Sequence, residues 1–493
     1  MTSPPSRRTA LRGLAVTGAA VIGFDPFTRT WAAAAPAADA SRLTGVPDLD
    51  GTLLTDTASR TAVADDYGHI VHRTPAAVLR PGSVRDVVAM VRFCNAHGIE
   101  VAPRGQGHAT QGQGQIDGGL VVETTPLASI GAVDTGSSTV TVGAGAKWSD
   151  VARATLAHGL TPPVFTDYLE LSVGGTLSVG GFGGQAHRHG AQVDNVAALE
   201  VVTGAGELLH CDATRRPDLF HAVRAGLGQC AIIVGATLRL VAAPETVRHY
   251  LLPYADLRTY VDDQRRLAED ERFDYLEGQV TADDSGVYRG GVIEAVAYGP
   301  PVGEAPDDKA LLRGLRHDPQ GVQITDLPYY DFLDRIAPAV AELKESGLWY
   351  WAHPWLNLLL PGARTADITR EILASLTPDD VGPGLVLLYP VRRERLTAPF
   401  LRVPDDPVPY LFAILRATPP DDRPTIDRLL KANRSAYDIA YASGGRRYPV
   451  GSVPFTERDW HRHFGPVWPA LAAARRRHDP KGVLGAGQGI FHG

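Results

Sequence analysis

The densest chemistry lies in Pro103-Arg104-Gly105-Gln106-Gly107-His108-Ala109, where two glycines, a guanidinium and an imidazole share one short stretch. Glycines at alternate positions let backbone N–H groups close on a phosphate, because no Cβ stands in the way. The spacing is not the G-x-G-x-x-G of the Rossmann dinucleotide fingerprint. A second stretch, Val173-Gly174-Gly175-Thr176-Leu177-Ser178-Val179-Gly180-Gly181-Phe182-Gly183-Gly184, holds more glycine than two tight turns require. Two such segments suit a backbone closing over one large dinucleotide, although glycine alone does not separate FAD from NAD. His108, taken alone, reads as a packed ring. Glu277 reads as a solvent-facing strand carboxylate and Trp355 as core.

The elements that must position these residues alternate strand and helix from about Thr61. Ser83 is placed to cap a helix in which Val84, Val87, Val88 and Val91 recur at helical spacing, stopping near His97-Gly98. A short strand at Val101-Ala102 then delivers the loop bearing His108. Thr139 to Val142 reads as a strand, Ser149 to His158 as a helix closed by Gly159, and Val196 to His210 as a hairpin. After Pro244 the character changes to short elements separated by acidic, Pro-containing loops. The expected division is a leader over 1–40, a first domain over 41–244, a second over 245–447, and a segment over 448–493 returning to the first.

Hydrophobic residues make up 44% and charged residues 21% of the 493, which is ordinary globular composition. A net charge of −7 without clustered Lys and Arg gives no footing for nucleic acid. Cys94, Cys211 and Cys230 form no C-x-x-C pair; zinc is not expected, and buried free thiols are the simplest reading. No metal site is expected. The leader carries Ser6-Arg7-Arg8-Thr9-Ala10-Leu11, an apolar run from Gly13 to Phe24 and small residues near Ala33 to Ala40. That order looks like a twin-arginine export signal, so a secreted or extracytoplasmic protein is expected. The run is too short for a stable membrane span.

The Gly-x-Gly-His loop followed by Val-Gly-Gly-Thr-Leu-Ser-x-Gly-Gly-x-Gly resembles the FAD-binding domain of the vanillyl-alcohol oxidase, or PCMH-type, superfamily. Four further segments narrow the resemblance to cytokinin dehydrogenases. They are Phe165-Thr166-Asp167-Tyr168-Leu169, Phe273-Asp274-Tyr275-Leu276-Glu277-Gly278, His353-Pro354-Trp355-Leu356-Asn357, and the terminal run from Asp479-Pro480 through Leu484, Gly487-Gln488 and Ile490-Phe491. The resemblance implies an α+β fold: a two-part FAD-binding domain plus a substrate domain with an antiparallel sheet flanked by helices.

It also implies roles. FAD would be held by Gly105, Gln106, Gly107, His108, Ala109 and Gln113, by Asp167, Ser172, Ser178 and Phe182, and by Ile233, Tyr448 and Gln488, with a covalent bond through His108. Asp167 would take the amine proton of a cytokinin-like substrate while hydride leaves to the flavin. Glu277 would hold the purine, and Trp355 with Asn357 would line its slot. A quinone-type compound or oxygen would accept the electrons. Ala109 stands where the family usually has Ser, and Gly485-Ala486 where it has Ser-Pro; these departures leave room for a related FAD-linked oxidase of another amine, alcohol or sugar.

Overall fold

The computed structural model describes residues 21–25, 30–33, 45–283, 285–299 and 306–491. The expected leader lies outside them, except for two short strands, Val21–Asp25 and Thr30–Ala33, that pair antiparallel. The fold is α+β, with two four-stranded sheets near the glycine segments and one eight-stranded sheet.

The first small sheet runs Thr52–Leu54, Ala77–Arg80, Leu120–Glu123, Val101–Arg104, and only its first pair is antiparallel. Parallel neighbours need a crossover. The helix Val84–His97 supplies one, burying Val87, Met90, Val91 and Cys94 along one stripe. It ends at Gly98 with φ of 67°, the left-handed turn that favours glycine. Ser83 stands at its N-cap position but does not cap it. Its hydroxyl donates to Asp50 (2.7 Å), while Asp86 accepts from the amides of Gly82, Asp50 and Gly51. The chain entry is thus anchored by a carboxylate inside the first turn. Val101–Arg104 leads directly into the His108 loop, and the C-terminal run returns beside it, Val101 N donating to Val483 O (2.7 Å).

The second small sheet is antiparallel, in the order Leu208–Asp212, Val196–Thr203, Ala231–Arg239, Thr139–Gly143. The second glycine segment packs on it and is not a loop throughout: Val173–Val179 is a helix, and the turns follow from Gly180. Its glycines are needed for close approach. A Cβ on Gly183 would stand 1.7 Å from the Phe165 carbonyl oxygen, and one on Gly184 would strike the Tyr275 ring. Cys94, Cys211 and Cys230 are buried free thiols.

The eight-stranded sheet is antiparallel, in the order Gln323–Pro328, Thr246–Tyr254, Tyr288–Tyr298, Tyr275–Ala282, Leu385–Pro390, Tyr410–Leu415, Leu356–Leu360, Arg446–Arg447. Strand side chains alternate between faces, and this alternation sorts the sequence. Leu276, Leu358, Leu388 and Phe412 pack in one core with residues of the helices Leu257–Asp270, Thr365–Ala374 and Arg423–Ala442. Tyr275, Leu359, Tyr389 and Leu411 pack in the other, with the core of the second small sheet. Glu277 and Asn357 take the parity of this second group and so look toward the glycine segments. Among the described residues, no helix is long and apolar enough to cross a membrane.

Candidate active site

The predicted residues are joined by several separate contacts. Leu227 links two of them: its N–H donates to Ser178 O (3.0 Å), and its carbonyl accepts from the Gln488 side chain (2.8 Å). Phe182 stacks edge-on against Tyr448 at 5.1 Å, and the Tyr448 hydroxyl accepts from Gly181 N. Ile233 is buried in the strand Ala231–Arg239. The two glycine segments meet. A Cβ on Gly105 would lie 2.1 Å from Ser172 Oγ, so the loop packs directly on that side chain. Gln113 folds back to accept from Gln111 N (2.8 Å), and Ala109 offers its carbonyl to Gly68 N (3.0 Å).

His108 sits in an aromatic box. Tyr67 stacks on it at 4.0 Å, and His353 stacks on Tyr67, also at 4.0 Å. Tyr168, Trp349 and Trp355 stand 5.0, 5.8 and 5.9 Å away. These walls strip water from the imidazole and, helped by His353 and Lys344, push its pKa down to about 3. His108 is therefore neutral and keeps a free lone pair. A cavity of about 430 Å³ opens beside it, lined among others by Arg104, Gln106, Gly107, Tyr168 and Trp349.

The two predicted carboxylates come together from opposite halves of the chain. Asp167 accepts from Tyr275 (3.0 Å) and from Arg335 Nη2 (2.8 Å), both through Oδ1. Arg335 also pairs with Glu294 (2.8 Å) and reaches to 3.9 Å from Glu277. Burial, then the Asp167 charge, push the Glu277 carboxyl well above the usual carboxylate range. Burial acts on Glu294 too, but Arg335 and His249 (3.0 Å) outweigh it and hold that carboxyl at about 2.

The sequence reading names Asp167 and Glu277 but not the guanidinium between them, Arg335. Glu294 and Tyr275 were also missed. Tyr275 lies two residues before Glu277, so strand parity signals it. Glu294 is the cross-strand partner of Glu277 and shows only once the pairing is known. Arg335, between the helices Tyr329–Leu333 and Ala337–Glu345, carries no local signal.

Arg104 Nη1, Trp355 Nε1, Asn357 Oδ1 and Glu277 Oε1 are among the buried polar atoms that lack a hydrogen-bond partner among the described residues. Unsatisfied buried groups are costly and call for a ligand. A donor at the glycine loop suits a phosphate, and mixed donors and acceptors near the sheet suit a polar heterocycle. The residues present fit FAD with a planar substrate beside it.

Comparison with known proteins agrees. Residues 75–212 match the family described as FAD binding domain. The fold is that of 6-hydroxy-D-nicotine oxidase from Arthrobacter nicotinovorans, with a TM-score of 0.68 at 22% identity, covering 88% of this chain and 96% of that one. Fold, glycine cradle and matched domain define a FAD-dependent oxidoreductase. Residues 305–491 match the family described as Cytokinin dehydrogenase 1, FAD and cytokinin binding. Cytokinin dehydrogenase 10 of Oryza sativa subsp. japonica is 35% identical over 90% of this chain and 89% of its own. Cytokinin dehydrogenase 2 of Arabidopsis thaliana is 33% identical over 90% and 94%. An uncharacterized oxidoreductase, ORF5 of the fasciation locus of Rhodococcoides fascians, is 40% identical over 89% and 99%. The chain belongs to the cytokinin dehydrogenase family.

Proposed function

We propose that the protein oxidises N6-substituted adenines at the carbon beside the exocyclic nitrogen. The observation that carries this is the meeting of Asp167 and Glu277 beside buried, unpartnered acceptors on one sheet face. FAD, when bound, supplies the two-electron acceptor for the hydride lost from that carbon. Asp167 takes the amine proton, which leaves a neutral imine that water hydrolyses to adenine and an aldehyde. Both protein contacts of Asp167 fall on Oδ1, so Oδ2 is the oxygen that meets the substrate N–H. Glu277, its carboxyl pushed up by burial, can in its protonated form accept from a ring N–H and donate to a neighbouring ring nitrogen at once. Trp355 and Asn357 present a flat wall and a buried amide to the same ring.

Neutral His108 is the group for a covalent bond to the flavin, and a quinone-type compound or oxygen is the electron acceptor. Arg7-Arg8 and the apolar run after them make export to the cell exterior part of the same proposal. The experiment is spectroscopic. Anaerobic addition of isopentenyladenine should bleach the flavin, and acid precipitation should leave yellow colour in the pellet. A flavin that stays oxidised with every N6-substituted adenine, but is bleached by another amine, alcohol or sugar, would replace the substrate reading.

A further inference from the structure

The carboxylate end of the site holds three acids against one guanidinium. Asp167, Glu277 and Glu294 all lie within 4 Å of Arg335, whose side chain is itself only 16% exposed. The surrounding elements add few charges. Tyr275 and Glu277 face the cluster from Tyr275–Ala282, Glu294 from Tyr288–Tyr298, His249 from Thr246–Tyr254, and Tyr389 from Leu385–Pro390. Tyr168 neighbours Asp167 along the chain. Arg335 also lies over the Tyr275 and Phe332 rings, at 5.0 and 4.7 Å, which fixes its plane. Buried like charges cannot all stay ionised without a counter-charge. The fork of Arg335 hands one arm to Glu294 and one to Asp167, and Glu277 stands farther off.

We propose that Arg335 is the positioning residue that sets a counter-charge on Asp167 Oδ1 and turns the carboxylate toward the substrate amine. This rests on the assignment of Asp167 as the proton acceptor for an N6-substituted adenine. Arg335 does not touch the reacting atoms. It acts by holding Asp167 Oδ1, so that the other oxygen is free when substrate arrives. The guanidinium thereby sets one positive charge between the Asp167 and Glu294 carboxylates.

The test uses the flavin-loaded enzyme with Arg335→Gln and Arg335→Lys. For Arg335→Gln, the acid limb of the rate of flavin bleaching by isopentenyladenine should move up by about 2 pH units, with most of the rate recovered on the alkaline side. Arg335→Lys should return the limb toward wild type at a lower rate, since an ammonium cannot fork to two carboxylates. A guanidinium that merely filled space would lower the rate equally at all pH, and that result would overturn the proposal.

A second readout does not depend on the substrate. In Arg335→Gln, the Asp167 and Glu294 carboxylates lose their shared counter-charge, so the pair takes up a proton on folding that the unfolded chain gives up. The variant's deficit in thermal midpoint should therefore widen as pH rises from 5 to 8, whereas parallel curves would refute the role. Should isopentenyladenine fail to bleach the wild type while these curves diverge, the substrate reading falls and the role of Arg335 stands. If Arg335→Gln does not fold, adding Asp167→Asn decides. A folded double variant supports the charge role, and one that also fails to fold overturns it.

Discussion

The two ends of the site, joined at Asp167-Tyr168, answer the same problem in opposite ways. Both must hold a titratable group in a partly buried place. Around His108 the answer is neutrality: Tyr67, Tyr168, Trp349, His353 and Trp355 surround the imidazole with rings, and it gives up its charge. Around Asp167 the answer is compensation, with Arg335 bonded to it and to Glu294. On the proposed function, His108 bonds the flavin and needs its lone pair, whereas Asp167 accepts a proton and needs its charge. Desolvation favours the first and opposes the second, so the second end bonds its carboxylate to a cation, Arg335.

The largest effect should separate the ends outright. Asp167→Asn keeps the shape and removes the charge, and turnover should fall by about a thousandfold, the range of a lost general base. The visible flavin spectrum and its acid stability should not change. His108→Ala should do the converse: the acid pellet turns colourless, while substrate still reduces flavin bound without the link. If Asp167→Asn also released the flavin, the ends would not be separable and the contrast drawn here would fail.

Acid stability should come next. His353 lies 5% exposed against Tyr67, and its pKa is lowered from 6.5 to about 4, first by burial. The unfolded chain binds that proton below 6.5 and the folded one does not, so stability rises with pH through the window from 4 to 6.5. Glu294, held at about 2, contributes stability that persists down to its ordinary value of 4.5. Loss of stability between 6.5 and 4.5 should therefore arise at the aromatic end. His353→Gln should flatten that loss by on the order of 3 kcal/mol, read from chemical denaturation at several pH values. An unchanged slope would mean that other buried histidines, such as His187 with its pKa at about 4, set the acid limit.

How much of this was legible follows from the range of the interactions. The helix at Val84–His97 and the strands around it were readable because apolar periodicity and Gly98 are local. Ser83 takes the N-cap position as expected but not the capping bond, because Asp50, far off in the chain, accepts from its hydroxyl. The Gly105–His108 loop was readable since glycine spacing is a chain-local demand. Its fit against Ser172 was not, because that contact joins two segments. Asp167 and Glu277 entered only through resemblance. Nothing near Arg335 in the chain says that it will meet carboxylates delivered by the sheet and by the 165–169 segment.

The finest test compares two tyrosines at the two ends. Tyr67 works through its ring faces, stacked between His108 and His353, and Tyr67→Phe keeps those faces. Tyr275 works through its hydroxyl, which donates to Asp167 and accepts from Arg335. Tyr275→Phe removes a hydrogen bond to a charged group, which costs about 2 kcal/mol, and leaves Asp167 leaning on Arg335 alone. Tyr67→Phe should cost about 0.5 kcal/mol or less, within the range of a change that breaks no network. Denaturant midpoints measured side by side would show the difference. Equal costs would mean that the aromatic end too depends on polar contacts, and that the two ends differ in degree and not in kind.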